Sequence, residues 1–157
     1  MRPCGMRACD DARHLDIEDC GSLQNAPPMS MPPGYYSTVF LLESPPIPLP
    51  SSFAIITAWN PMDEPTSAEE NRQRDEKLIQ LLELRQIPYF RATGCSPDLS
   101  HQEPGWAMEA EPEVALEIAR RFRQRGLWQV EEDHLWLVDC GDGSRESLGS
   151  FQNRLLA

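Results

Sequence analysis

The sequence predicts a single α+β domain: a mixed sheet of about five to six strands with two main helices packed on it. Phe53 to Trp59 is an almost continuous apolar run, typical of a strand covered on both faces. Two further segments, at about 67–85 and 112–126, place apolar residues at helical spacing. The length of 157 residues and the hydrophobic content of 40% suit one core.

The two ends of the chain differ from its middle. We expect residues 35–140 to form the globular domain, residues 1–34 a flexible leader, and residues 141–157 a tail. The leader mixes cysteines, charges and Pro-Pro pairs without an apolar period. The tail is rich in Gly and Ser, but three of its apolar residues have the spacing of a short docking helix: Leu148, Phe151 and Leu155.

The first strand is predicted at Tyr35 to Leu42, from aromatic and β-branched residues. A proline-rich stretch at 44–50 is expected to run extended as a connector to the central strand, Phe53 to Trp59. Asn60-Pro61 then ends that strand.

Overlapping capping signals predict where the first main helix starts. Thr66 with Glu69, and Ser67 with Glu70, have capping-box spacing, so the helix is expected from about Ser67 to Arg85. Asn71 lies seven residues, about two turns, before the apolar Leu78 and should face inward with it.

The second half of the domain is predicted from the same kinds of signal. A strand at Pro88 to Thr93 should end at Gly94, and a short strand is expected at 105–109. The second helix has Pro112 at a favoured first position and Gly126 as its stop. Glu132-Asp133 then joins two apolar arms, 127–131 and 134–139, in a hairpin.

The segment Thr57-Ala58-Trp59-Asn60-Pro61, the helix with Asn71, Gly94, Glu103 with Trp106, and residues 119–124 together resemble the bacterial family domain of unknown function 3293. The resemblance covers about residues 53–140, and the Thr-Ala-Trp-Asn-Pro run is its most specific part. The chain departs from the family pattern at Arg123, where a Phe-Gly-Gln sequence is expected. The resemblance implies a small stand-alone bacterial domain and brings no substrate, cofactor or catalytic residue.

Charge and cysteine content exclude several classes of protein. The 25 Asp and Glu residues against 14 Lys and Arg give a net charge of −11, which disfavours direct nucleic-acid binding. Five cysteines and no export signal favour reduced thiols in the cytoplasm. The apolar runs are shorter than the roughly 20 residues of a membrane span, and no phosphate or dinucleotide loop motif indicates a cofactor.

Polar residues at the end of the central strand form a candidate ligand site. Asn60 should lie near the free N–H groups at the start of the first main helix, a place that suits a polar ligand. Asn71 can add an amide, Glu103 a carboxylate, Trp106 a stacking face and Gln124 a second amide.

A structural interpretation of the same residues stands beside this one. Asn60 can simply start an Asn-Pro turn, and Asn71 can satisfy buried backbone groups. Trp106 is more typical of a core residue than of a stacking platform.

Candidates for catalysis and for metal binding are weaker. Cys95 and His101 lie in one loop with Asp98, which suggests an activated thiolate, and Glu103 is a candidate general acid. In the leader, the spacing of Cys4, Cys9, His14 and Cys20 loosely resembles a zinc site. A flexible leader accounts better for those residues, so no metal is expected.

The leading functional hypothesis is a binding or regulatory module that recognises a polar small molecule or a protein partner. One alternative is a small enzyme acting on a polar metabolite or nucleotide-like substrate. Another is an acidic inhibitor that docks on a nucleic-acid-binding protein, in keeping with the net charge. The sequence favours a non-enzymatic role and leaves the oligomeric state open.

Overall fold

The computed structural model describes residues 31–156. Those described residues form one seven-stranded sheet and three α-helices, so the predicted α+β class is confirmed. The helices are α1 (Pro33–Ser37), α2 (Ala68–Leu84) and α3 (Pro112–Arg121). The strands are β1 (Val39–Glu43), β2 (Ser52–Ile56), β3 (Tyr89–Cys95), β4 (Gln102–Met108), β5 (Gly126–Glu131), β6 (His134–Asp139) and β7 (Arg145–Ser150). Short 3₁₀ turns follow β2 and β7, at Pro61–Asp63 and Gln152–Arg154.

The strand order is β1-β3-β4-β2-β5-β6-β7, with every neighbouring pair of strands antiparallel. The predicted central strand is confirmed as β2, which occupies the middle of the sheet and has four of its five residues buried. The expected mixed sheet of five to six strands is corrected to an antiparallel sheet of seven. The physical reason is that β4 lies between β2 and β3, so the α2 connection does not join adjacent parallel strands.

One face of the sheet is covered by α2 and α3. Ala54 and Ile56 of β2 pack there against Leu78 and Leu82 of α2 and Ile118 of α3. The predicted start of α2 is confirmed, because the Ser67 side chain accepts a hydrogen bond from the Glu70 N–H. We call the side of the sheet that α2 and α3 cover the helix face. Because side chains alternate along a strand, the residues on either side of each helix-facing residue point to the opposite face.

The opposite face carries an aromatic cluster of six rings, in which each ring contacts the next to form a continuous chain. The cluster consists of Tyr35, Trp128, Phe40, Phe151, Phe53 and Phe90. The sheet curls around it, and Leu155, which follows β7, forms a parallel bridge with Phe40 of β1. The curl thus brings the two ends of the sheet to the same aromatic core.

Two terminal segments differ from what the sequence led us to expect. In place of a strand from Tyr35, Pro33 begins the short helix α1, and β1 starts only at Val39. Residues 141–157 were expected as a tail with a docking helix, but they contain β7, which pairs along β6. Phe151, which follows β7, is 1% exposed because its ring packs in the aromatic cluster against Phe40 and Phe53. The N-terminal residues 1–30 lie outside the described residues.

Within residues 31–156, the longest helix, α2, lacks the length and apolar content of a membrane-spanning segment.

Candidate functional site

Asn60, Asn71 and Glu103 form one hydrogen-bonded network beside the end of β2. The Asn60 side-chain Nδ2 donates to Glu103 Oε2 at 3.0 Å, and Asn71 Nδ2 donates to Asn60 Oδ1 at 3.0 Å. The three residues come from the turn after β2, from α2 and from β4. The structure therefore brings together the strand-end amide, the helix start and the distant carboxylate that the sequence grouped.

The backbone of the turn explains why asparagine occupies both positions. Asn60 has a left-handed conformation, with φ 46° and ψ 65°, which asparagine adopts more readily than most residues. Asn71 Oδ1 accepts from the Asn60 N–H at 2.9 Å and from Thr66 Oγ1 at 2.6 Å. Asn60 Oδ1 accepts a second bond from the Thr66 N–H at 3.1 Å. Both amide oxygens already hold two hydrogen bonds, so the two asparagines stabilise the turn.

Glu103 lines a cavity of about 230 Å³ on the aromatic side of the sheet. Its wall is largely buried and includes Ile55, Ile56, Ala92, Gly105, Gly126 and Trp128. Its more exposed lining residues include four polar ones: Asp63, Ser96, His101 and Glu103. The cavity thus joins an apolar interior to a polar opening.

Gly105 allows β4 to pass close to its two neighbouring strands, β2 and β3, at the cavity wall. A Cβ atom at this position would lie 2.5 Å from the Ile56 carbonyl oxygen and 3.0 Å from that of Ala92. Only glycine fits this close approach of three strands.

Trp106 does not share this site. Side chains alternate along a strand, so positions 103 and 106 of β4 face opposite sides of the sheet. Trp106 Nε1 donates to Asp75 Oδ1 at 2.9 Å, and the Arg91 guanidinium lies 3.7 Å from the indole ring centre. Trp106 therefore packs on the helix face, in keeping with the core interpretation of this residue.

Gln124 also lines the cavity and is 5% exposed. Its Nε2 donates to the backbone oxygens of Trp59, at 3.1 Å, and Phe122, at 3.3 Å. This amide ties the residue before Asn60 to the end of α3, so it helps to hold the turn.

The candidate catalytic residues Cys95, His101 and Glu103 all line the cavity. His101 Nε2 lies 3.1 Å from Glu103 Oε2, whereas the Cys95 Sγ is 3.7 Å from the Thr93 carbonyl oxygen. Burial raises the pKa of the Cys95 thiol. Histidine is therefore paired with the carboxylate, and the thiol remains protonated at neutral pH.

Asp98, grouped with Cys95 from the sequence, serves the loop instead. It accepts hydrogen bonds from the Ser100 N–H and from the hydroxyls of Ser96 and Ser100. These bonds, chiefly that of the Ser100 N–H, lower the pKa of Asp98 to about 2. The carboxylate stabilises the turn between β3 and β4.

Three residues at the cavity were missed in the sequence: Tyr35, Asp63 and Trp128. The Tyr35 hydroxyl donates to Asp63 Oδ1 at 2.6 Å, and Arg125 Nε donates to Asp63 Oδ2 at 2.6 Å. Asp63 lies two residues after Pro61 of the Asn60-Pro61 signal, and its positive φ of 63° is a conformation that Asp tolerates. That polar turn was the available signal for Asp63, whereas only the fold brings Tyr35 and Trp128 to the cavity.

The candidate zinc ligands Cys4, Cys9, His14 and Cys20 lie outside the described residues. Among residues 31–156, no group of three or more His, Cys, Asp or Glu side chains is arranged to hold a metal ion.

Residues 56–127 match the family described as protein of unknown function (DUF3293), which confirms the resemblance drawn from the sequence. No curated protein and no solved structure matches the chain. The matched stretch contains Asn60, Asn71, Glu103 and Gln124, whereas Trp128 falls just outside it. The similarity to the DUF3293 family thus covers residues 56–127, from the end of β2 to the start of β5.

Proposed function

We propose that this domain is a binding module that holds a compact small molecule in the cavity beside Glu103. The observation that carries the proposal is a polar residue held in place at the edge of a largely apolar cavity of about 230 Å³. Binding sites for small molecules commonly combine an apolar wall with a few fixed polar groups.

The volume sets the size of the ligand. An engineered cavity of roughly 150 Å³ binds benzene. A cavity of about 230 Å³ therefore has room for one ring or short chain with small substituents.

The surrounding hydrogen bonds hold the polar end in one geometry. Asn60 donates to Glu103 Oε2, and Asn71 and Gln124 in turn hold Asn60 and its neighbour Trp59. A side chain fixed before binding loses little conformational entropy when it contacts a ligand. This arrangement suits recognition by a preformed site.

A fragment screen by NMR on the full chain tests the proposal. We expect fragments with a single ring to shift the Trp128 indole N–H and the Gly105 amide resonances, because both residues line the cavity. Ala92→Leu, which adds volume at the cavity wall, should weaken those fragments, whereas the same change at exposed Ala68 should not. The proposal fails if no fragment shifts the cavity resonances, or if Ala92→Leu folds and binds as the wild type does.

A second candidate function, acid–base catalysis, is favoured by the pair His101 and Glu103. An imidazole hydrogen-bonded to a fixed carboxylate at a cavity can move a proton to or from a bound molecule. Once a ligand is known, turnover of that compound should be lost in His101→Gln with its binding retained. A wild-type domain that binds the compound and leaves it unchanged over many hours would remove this candidate.

A further inference from the structure

The charges that line the cavity are of one sign. Asp63 and Glu103 are its acidic lining residues, and no Lys or Arg side chain of residues 31–156 lines it. Asp63 is already paired with Arg125, at 2.6 Å, and also accepts from Tyr35. Glu103 has only His101 as a basic neighbour among the described residues. The carboxylate without a permanent cation is therefore Glu103.

The hydrogen bonds of Glu103 leave one of its oxygens free to accept. Oε2 receives the Asn60 amide at 3.0 Å and contacts His101 Nε2 at 3.1 Å. Within residues 31–156, Oε1 has no hydrogen-bond partner. A carboxylate can accept about four hydrogen bonds, so a donor on a ligand can be added without breaking either existing contact.

The cavity lining also includes aromatic surface. Trp128 and Tyr35 are stacked with ring centres 5.5 Å apart, and both residues line the cavity. Burial, with a further contribution from the hydrogen bond to Asp63, raises the pKa of Tyr35, so the phenol stays neutral. This aromatic surface therefore suits an apolar ring or chain.

We propose that the ligand of this cavity is a small organic cation, an ammonium or amidinium group on a compact apolar body, with the cation bound by Glu103. The inference rests on the proposed function and names the class of its ligand. A charged donor gains a charge-assisted hydrogen bond at Glu103, which is stronger than that of a neutral donor. An anion would meet two carboxylates in a partly desolvated site and would be rejected.

Three probes that differ only in their polar group test this inference: benzylamine, benzyl alcohol and benzoate. Binding to the full chain is measured by titration of the Trp128 indole resonance. Benzylamine should bind at least about tenfold more tightly than benzyl alcohol, from the difference between charged and neutral hydrogen bonds, and benzoate should bind most weakly. Binding of benzoate as tight as, or tighter than, that of benzylamine would overturn the inference.

Glu103→Gln keeps an acceptor for Asn60 and removes the charge. We expect it to weaken benzylamine by about tenfold and to leave benzyl alcohol almost unchanged. Glu109→Gln, an exposed carboxylate outside the cavity lining, is the matched control and should change neither affinity. If Glu103→Gln does not fold, the preference of the wild type among the three probes still decides.

The outcomes separate this inference from the proposed function. Fragments can bind in the cavity without a preference for amines, or with affinities that Glu103→Gln does not change. Either result would overturn the inference of a cationic ligand and would still support the binding module. A silent response to every fragment overturns both. An amine preference that Glu103→Gln removes supports both.

Discussion

Glu103 Oε2 accepts a hydrogen bond of 3.0 Å from Asn60 Nδ2, although 43 positions separate the two residues in the chain. The bond connects the turn after β2 to β4, the strand that pairs directly with β2. It therefore links the conformation of the turn to the position of a carboxylate at the cavity.

Replacement of Asn60 should separate its backbone role from its side-chain role. Asn60→Ala loses the amide network and places a Cβ-bearing residue without local hydrogen bonds at φ 46°, so we expect it to cost about 2–4 kcal/mol in the free energy of unfolding. Asn60→Gly relieves the backbone but still loses the amide, and should cost about half as much. Urea unfolding of both variants provides the measurement. Equal costs would show that the left-handed backbone contributes nothing.

Asp75 should matter for stability and not for binding. Asp75 as a whole residue is 9% exposed on the helix face, and its carboxylate accepts from Arg91 and from Trp106 Nε1. Asp75→Ala leaves the partly buried Arg91 and the indole N–H without this partner, at a cost of about 2–4 kcal/mol in the free energy of unfolding.

The control for Asp75→Ala is Glu76→Ala, which removes an exposed carboxylate that pairs with Arg72, and should cost under about 0.5 kcal/mol. Neither variant should alter the affinity of a cavity ligand, because the cavity lies on the other face of the sheet. A changed affinity in Asp75→Ala with an unchanged melting temperature would contradict this assignment.

Local signals in the sequence were sufficient for β2, for α2 and for the inward orientation of Asn71. An apolar run, a capping residue and a period of 3.6 are properties of neighbouring residues, and they need no knowledge of the fold. Alternation along a strand also separates Glu103 from Trp106, once the segment is known to form one strand that begins at Gln102. The strand that the sequence predicts begins at Gly105, so in the sequence alone Glu103 and Trp106 do not belong to one strand.

The remaining differences arise from contacts between distant segments. The strand β7 has the sequence Arg-Glu-Ser-Leu-Gly-Ser, with no strong apolar pattern, and it forms because β6 offers a free edge. Tyr35, Asp63 and Trp128 come from three separate elements, so no spacing in the sequence relates them. The amide network could be anticipated in the sequence, whereas the cavity depends on how the sheet curls.

The two cysteines of the described domain should be inert to alkylation in the folded state. Burial raises the pKa of Cys95 and that of Cys140, the latter to about 12, so little thiolate forms at neutral pH. In a variant with Cys4, Cys9 and Cys20 replaced by Ser, iodoacetamide at pH 8 should label neither thiol, and should label both in urea. Rapid labelling of Cys95 without urea would show that the cavity opens to the thiol.

Stability at alkaline pH should report on Tyr35. Its pKa in the folded state lies above its ordinary value near 10, so between these values the unfolded chain loses a proton that the folded chain keeps. The free energy of unfolding should therefore be fully retained below about pH 9 and should fall as the pH rises through about 10. Because part of the Tyr35 side chain is accessible to solvent, the change in the free energy of unfolding with pH should stay well below the limit of about 1.4 kcal/mol per pH unit.

Tyr35→Phe removes the titrating group. Urea unfolding from pH 8 to 11 should show the stability of this variant falling less steeply than that of the wild type. Since all other tyrosines and the buried thiols are the same in both proteins, parallel curves would mean that neither burial nor the Asp63 contact holds the phenol protonated.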